Sequence, residues 1–220
     1  MTTAYQVKTL EVGPLQTNCY VVTDLAAKEC AIIDPGAESA VILEYIAWAG
    51  LSPKAIFITH AHFDHVTALP EVARETGAQV YVCELETAGD SRDAKKLAAC
   101  ENLSFYKEGD VITVGGLRFE VLQTPGHTAG SVSLLCSAPG SGDTDCLFSG
   151  DTLFAGSCGR TDLGGSMPDM LESLLRLSAL PPETEVYPGH GESSDIGREN
   201  AGNYYIRYAK SGFPAQSMEF

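Results

Sequence analysis

Three of the chain's five histidines fall within one hexapeptide, His60-Ala61-His62-Phe63-Asp64-His65, together with a carboxylate. Neutral imidazoles combined with carboxylates suit zinc or iron, with manganese also accommodated, better than calcium or magnesium. On a strand His60 and His62 would share one face and His65 would point away, whereas on a helix His60 and His62 would diverge. An irregular turn is needed to converge all four side chains, and loops held by a rigid sheet are where such sites are built. The bland alternative is a polar loop with incidental histidines. In a chain with five histidines among 220 residues, that clustering would seldom arise by chance.

The remaining donors stand in similar contexts: Thr124-Pro125-Gly126-His127, Ser149-Gly150-Asp151 and Pro188-Gly189-His190. The elements in front of them read as strands. A β-branched apolar run over residues 54–59, bounded by Ser52-Pro53, leads into His60. Val111–Val114 and Leu117–Gln123 form a predicted hairpin through Gly115-Gly116, a dipeptide suited to the positive φ values of a tight turn, and lead to His127. Residues 131–136 and 146–149 form a second hairpin leading to Asp151, and Val186-Tyr187 leads to His190. Four strand exits sharing one rim would bring every histidine together.

Elsewhere, strands are expected at Tyr5–Val12, 19–23 and 31–33, with turns at Gly13-Pro14 and Asp34-Pro35-Gly36. Helical spacing over 38–49 puts Val41, Ile42, Tyr45, Ile46 and Ala49 on a core face with Trp48 at its edge, stopped by Gly50. A helix is expected over 66–76 despite Pro70, a strand at Gln79–Cys83, and a solvated helical insertion near the mouth of the site over 84–99. Residues 170–177 read as a helix. Residues 193–210 supply at most one helix, on which Tyr204, Tyr205 and Tyr208 are packing residues.

With 220 residues and 44% hydrophobic content, the chain can bury a full core as a single domain over 1–220. A formal net charge of −15 disfavours nucleic acid and anionic membranes as partners, and no apolar run approaches the roughly 18 residues needed to span a bilayer. Seven cysteines without a CxxC pair, and a start lacking a basic region followed by an apolar core, fit a reducing cytoplasm. A small-molecule partner is expected.

His60, His62, Asp64, His65, His127, Asp151 and His190 make seven candidate metal ligands. One bridging carboxylate and a shared hydroxide would give two metal ions about five bonds each, whereas a closed structural zinc needs only four ligands and no water. The count favours a dinuclear catalytic centre.

The HAHFDH segment resembles the HxHxDH signature of the metallo-β-lactamase superfamily, and the PGH, SGD and PGHG segments match its remaining motifs in order. Within that superfamily GPLQTNCYVV, IIDPG, TPGHTAGS, FSGDTLFAGSCGRTD and YPGHG resemble the glyoxalase II (hydroxyacylglutathione hydrolase) group. The resemblance implies an αββα sandwich: two mixed sheets face to face, helices outside, and a metal site on one edge. It also implies that His60, His62 and His127 hold one metal, that Asp64, His65 and His190 hold the other, and that Asp151 bridges them. Asp34 resembles the family's buried aspartate behind the histidine loop. Ser157-Cys158-Gly159-Arg160 resembles the segment whose basic residue holds glutathione, pointing to Arg160 as a substrate contact; the alternative is that Arg160 merely pairs with Asp162.

Such a centre activates water and polarises a carbonyl, with Asp64 orienting the nucleophile. A thiol of pKa roughly 8.5 can depart as thiolate without a dedicated general acid, so a thioester of a small acyl-thiol is the expected substrate. Two features depart from glyoxalase II. Gly191-Glu192 follows His190 where a glutathione-binding Tyr is expected, and the thirty residues after His190 leave no room for the C-terminal helical domain of the long form. The alternative enzyme is a persulfide dioxygenase, a related group that shares CGRTD and the histidine loop but binds one iron through two histidines and an aspartate. A lactonase, a β-lactamase and a non-enzymatic metal-binding module are further alternatives.

Overall fold

The computed structural model describes residues 4–88 and 92–212. Six strands, β1 (Tyr5–Val12), β2 (Thr17–Asp24), β3 (Glu29–Ile33), β4 (Ser52–Ile58), β5 (Gln79–Cys83) and β6 (Leu103–Tyr106), form the first sheet in chain order. β1 to β3 pair antiparallel and β3 to β6 pair parallel. β7 (Val111–Val114), β8 (Leu117–Gln123), β9 (Val132–Ser137) and β10 (Cys146–Gly150) belong to the second sheet, and β11 (Leu153–Phe154) pairs with β12 (Ser157–Cys158) as a separate ribbon. β13 (Glu185–Pro188) and β14 (Ser194–Asp195) complete the second sheet, whose order is β14-β13-β10-β9-β8-β7.

Strands covered on both faces must be apolar throughout, and period-two alternation decides which layer each side chain enters. Ala31, Ile33 and Phe57 of the first sheet meet Val121, Leu134 and Phe148 of the second in the core between the sheets. Ile32, Ile56, Ile58, Val80 and Val82 point to the opposite face. There they pack on α1 (Ser39–Ala49), on α3 (Leu69–Thr76), which follows the single turn α2 (Phe63–Val66), and on α4 (Arg92–Ala98). Outside the second sheet, Leu122, Leu147 and Val186 pack against α5 (Met167–Leu177), α6 (Ile196–Gly202) and α7 (Tyr204–Lys210). The result is the four-layer αββα sandwich with two mixed sheets that the family resemblance implied.

Several boundaries differ from expectation. α1 buries only Ile42 and Ile46, while Val41 is exposed and Trp48 is 84% exposed, so Trp48 is not part of the core edge. Three- and four-residue spacing identifies a stripe but not its width. The helix expected over 66–76 is instead two pieces, because Pro70 takes a first-turn position of α3, where its missing N–H costs nothing. The insertion after β5 is a 3₁₀ turn (Glu84–Thr87) and α4, and α4 is not simply solvated, since Ala94 and Leu97 are buried. The tail folds as two helices: Asn203 ends α6 and caps α7, its Oδ1 accepting from the Tyr205 and Ile206 N–H groups. Of its tyrosines, Tyr205 packs on the outer core, whereas Tyr204 is exposed and stacks on Tyr208. β6 and the β11–β12 ribbon carry too few residues for a periodic signal.

Strand direction places the site. The parallel strands β3, β4 and β5 end together at Ile33, Ile58 and Cys83. In the second sheet β9 is antiparallel to both β8 and β10, and β10 is parallel to β13, so β8, β10 and β13 also end on one edge. The Val132 N–H donates to the Thr59 carbonyl and the Asn18 N–H to the Gly189 carbonyl, joining the two edges.

Candidate metal centre

The HAHFDH segment turns from strand to helix. His60 leaves the end of β4 buried, His62 is the extended N-cap of α2 (φ −67, ψ 149), and Asp64 and His65 lie in that single turn. This is the irregular turn that the spacing required. The Asp34-Pro35-Gly36 turn packs directly beneath it: a Cβ on Gly36 would sit 1.7 Å from the Asp64 carbonyl oxygen, so no other residue fits. Gly189 is constrained in the same way, since its Cβ would lie 2.2 Å from Asp151 Oδ1 and 2.8 Å from His65 Cε1.

All seven predicted donors converge. His60, His62 and His127 form one trio and Asp64, His65 and His190 another, and His60, His65 and Asp151 form a third group that links them, each with donor atoms within 4.8 Å of one another. Asp151 stands between the trios. Its Oδ2 is 3.5 Å from His127 Nε2 and 3.6 Å from His190 Nε2, and its Oδ1 is 3.4 Å from His65 Nε2. Asp64 Oδ2 lies 3.2 Å from His190 Nε2 and 3.5 Å from His65 Nε2.

A ring of acceptors behind the imidazoles fixes their tautomers. His65 Nδ1 donates to Asp34 Oδ2 at 3.0 Å, His127 Nδ1 to the Arg160 carbonyl at 2.7 Å, and His190 Nδ1 to the Leu15 carbonyl at 3.1 Å. The Thr59 hydroxyl donates to Asp34 Oδ2 at 2.6 Å, so its oxygen accepts from His60 Nδ1 at 3.2 Å. In each of these four rings Nε2 is then the nitrogen turned toward the centre, the one a metal would bind in the ring's neutral form. Asp34, buried and with the unusual φ of 50°, therefore orients two histidines and accepts the Thr59 N–H at 2.8 Å.

Electrostatics separates the two trios. Burial, then the neighbouring imidazoles His65, His127 and His62, hold His60 well below the usual histidine range, and burial and His127 lower His62. These rings are neutral, the form that binds metal. Burial also opposes a charge on His65, but the Asp151, Asp34 and Asp64 carboxylates overcome it and push His65 up to about 9. That side of the centre favours positive charge. His60 Nε2, His65 Nε2 and Asp151 Oδ1 are buried with no hydrogen-bond partner among the described residues. Each such atom costs roughly 1–3 kcal/mol if left unpaired. Three orphaned donor atoms in a pocket of imidazoles and carboxylates fit divalent metal ions.

Arg160 lies beside this centre through its backbone carbonyl, while its exposed guanidinium makes two 2.6 Å hydrogen bonds to Asp162. With Cys158, Met167 and Tyr205 it lines a cleft. Burial pushes the Cys158 thiol up to about 12, so it is uncharged at neutral pH. Sequence reasoning missed three supporting residues. Thr17 donates to Asp64 Oδ2 at 3.0 Å, Asn18 Nδ2 donates to the Pro188 and Gly191 carbonyls at 3.0 Å each, and Glu86 bonds to the loops around His60 and His127. Thr17 and Asn18 sit in the GPLQTNCY motif, a signal available in the sequence, whereas Glu86 sits in a charged run that gives none.

Residues 12–190 match the model of the metallo-beta-lactamase superfamily. The chain is 37% identical over 209 residues to the probable metallo-hydrolase YqgX of Bacillus subtilis, covering 90% of this chain and 95% of that one. It is 37% identical over 175 residues to a hydroxyacylglutathione hydrolase of Pseudomonas putida, covering 78% of this chain and 60% of that protein. Among solved structures, the BLEG-1 B3 metallo-beta-lactamase superposes with a TM-score of 0.79 at 33% identity, over 91% of this chain and 99% of that one. TTHA1623 in a di-iron-bound form superposes with a TM-score of 0.75 at 36% identity, over 91% of this chain and all of that one. ETHE1 from Myxococcus xanthus gives 0.76 at 32%, over 96% and 92%. Fold, motif order and converged donors agree: the chain belongs to the metallo-beta-lactamase superfamily, whose members bind divalent metals, and is a metallo-hydrolase of that group.

Proposed function

We propose that the protein hydrolyses thioesters of small acyl-thiols at a centre of two divalent metal ions. The observation that carries this reading is the position of Asp151, whose Oδ2 is within 3.6 Å of one histidine from each trio. His60, His62 and His127 would hold one ion, Asp64, His65 and His190 the other, and Asp151 would bridge them. The donor set suits zinc first, with iron or manganese as substitutes, and the di-iron form of TTHA1623 is in keeping with that range. Bound there, the ions would acidify water from a pKa near 15.7 toward about 7 and polarise a carbonyl.

The chain's own residues do the rest. Asp64 is held below the usual carboxylate range because, against burial, His190, His65 and the Thr17 hydroxyl favour its charged form. It is therefore an ionised group that can orient water, not a general acid. A substrate whose leaving group departs unassisted matches that, and a thiolate does. Similarity to a hydroxyacylglutathione hydrolase supports the same class. Arg160 sits where an anionic thiol substrate would meet a cation, provided Asp162 releases it. The seven free thiols support a reducing cytoplasm as the setting.

A mono-iron dioxygenase centre built on two histidines and an aspartate would leave four of the seven converged donors without a role, which favours the two-ion hydrolase. Metal analysis of one preparation, paired with thioester, lactone, β-lactam and persulfide assays, tests the choice. About two equivalents of metal and thioester turnover are expected. One equivalent of iron with oxygen consumption would replace this reading by the dioxygenase.

A further inference from the structure

The 3₁₀ turn Glu84–Thr87 follows β5, which lies parallel to β4, so it emerges on the same edge as His60. From it the Glu86 carboxylate reaches two different loops. Its Oε2 accepts the N–H of Ala61, the residue between His60 and His62, at 2.6 Å. Its Oε1 accepts the hydroxyl of Thr128, which follows His127, at 2.8 Å, and the Gly130 N–H at 3.0 Å. The approach is close enough that a Cβ on Gly130 would lie 2.5 Å from that oxygen. Thr128 is further tied to Ser131, whose Oγ accepts the Thr128 N–H at 3.1 Å.

We infer that Glu86 is a positioning residue for one half of the metal centre only: by joining the His60–His62 turn to the loop after His127, it sets the geometry of that histidine trio. This rests on the reading that the seven donors hold two ions. The other trio has separate supports. His65 is held by Asp34, His190 by the Leu15 carbonyl, and Asp64 by Thr17. Glu86 makes none of those contacts.

A carboxylate is required because both of its oxygens accept. The isosteric Glu86→Gln has one acceptor oxygen and an amide nitrogen that donates, so one strut meets an N–H with an N–H and is lost. Partners behind metal ligands commonly contribute 10- to 100-fold in metal affinity.

The test is a chelator competition with zinc alone, run on full-length protein in two backgrounds that isolate the trios. His190→Ala retains the His60, His62 and His127 position, and His62→Ala retains the Asp64, His65 and His190 position. Adding Glu86→Gln should weaken zinc about 10- to 100-fold in the first background and leave the second unchanged. Thr128→Val, which removes one of the three contacts, should give a smaller loss in the same background and stands in if Glu86→Gln does not fold. Equal loss in both backgrounds, or none in either, overturns the inference. Stoichiometry of the parent protein separates this from the two-ion reading. One ion weakened by Glu86→Gln would end the two-ion reading and leave the role of Glu86 standing, and no bound ion would end both.

Discussion

At the scale of single residues, the two-ion reading depends on Asp151 being shared. Replacing it by Ala removes the oxygens that face His65, His127 and His190. Asp151→Ala is therefore expected to lose or scramble metal at both positions, measured as metal per chain after gel filtration; retention of wild-type content would refute a bridging role. Cys158 carries the opposite expectation. Its thiol is half-buried with a pKa pushed up to about 12, so it is no nucleophile at neutral pH. Cys158→Ser should retain most thioesterase activity, within about threefold, because no covalent acyl-enzyme forms. A loss of several orders of magnitude at unchanged metal content would point to covalent catalysis instead.

At the scale of elements, the two sheets are joined far from the metal as well as near it. Asp24, at the end of β2, accepts the N–H groups of Ala26 and Ala27 with Oδ1 and that of Gly116, in the β7–β8 turn, with Oδ2. These backbone donors lower its pKa below the ordinary carboxylate value. A carboxyl depressed in the folded state stabilises above the unfolded value, roughly 3.9, and that contribution is lost as pH falls through the lower folded value. Asp24→Asn presents an amide nitrogen to one of these donors and should cost about 1–2 kcal/mol at pH 7. Urea unfolding across pH should show this gap constant from pH 8 to about 5 and closing below 4. A gap that widened in acid would contradict the assignment.

At the scale of the whole molecule, a chain of formal net charge −15 carries a centre built to hold cations, so an anionic thiol gains little from the protein's overall charge. Arg160 must leave Asp162 before it can meet an anionic substrate, and Glu192 is exposed beside the His190 loop. Contacts to the non-reacting half of a substrate act on ground state and transition state alike, so their scarcity raises KM more than it lowers kcat. Several acyl-thiols should be turned over, with S-lactoylglutathione hydrolysed but poorly saturating. Arg160→Ala should raise KM several-fold for anionic substrates at little change in kcat. A low-micromolar KM for S-lactoylglutathione with negligible turnover of other thioesters would show a dedicated glutathione pocket.

The seven donors were legible because metal chemistry restricts the residue types, and strand ends announced by β-branched runs restrict their places. Asp34 was legible only through its motif, since nothing in Asp-Pro-Gly itself says that its carboxylate reaches Thr59 and His65. The layers followed from alternation: Ile32 and Ile33 enter different cores because successive strand residues face opposite ways. The residues themselves therefore marked the donor set and the strands that carry it, while the sandwich and the division of the donors into two trios were implied by the resemblance of the motifs. Only the folded chain shows that Glu86 reaches across two loops and that Trp48 stays outside the core. The Glu86 contacts depend on how separate loops approach in space, and one-dimensional periodicity carries no record of contacts between residues 25 to 44 positions apart, such as Glu86 with Ala61 and Gly130.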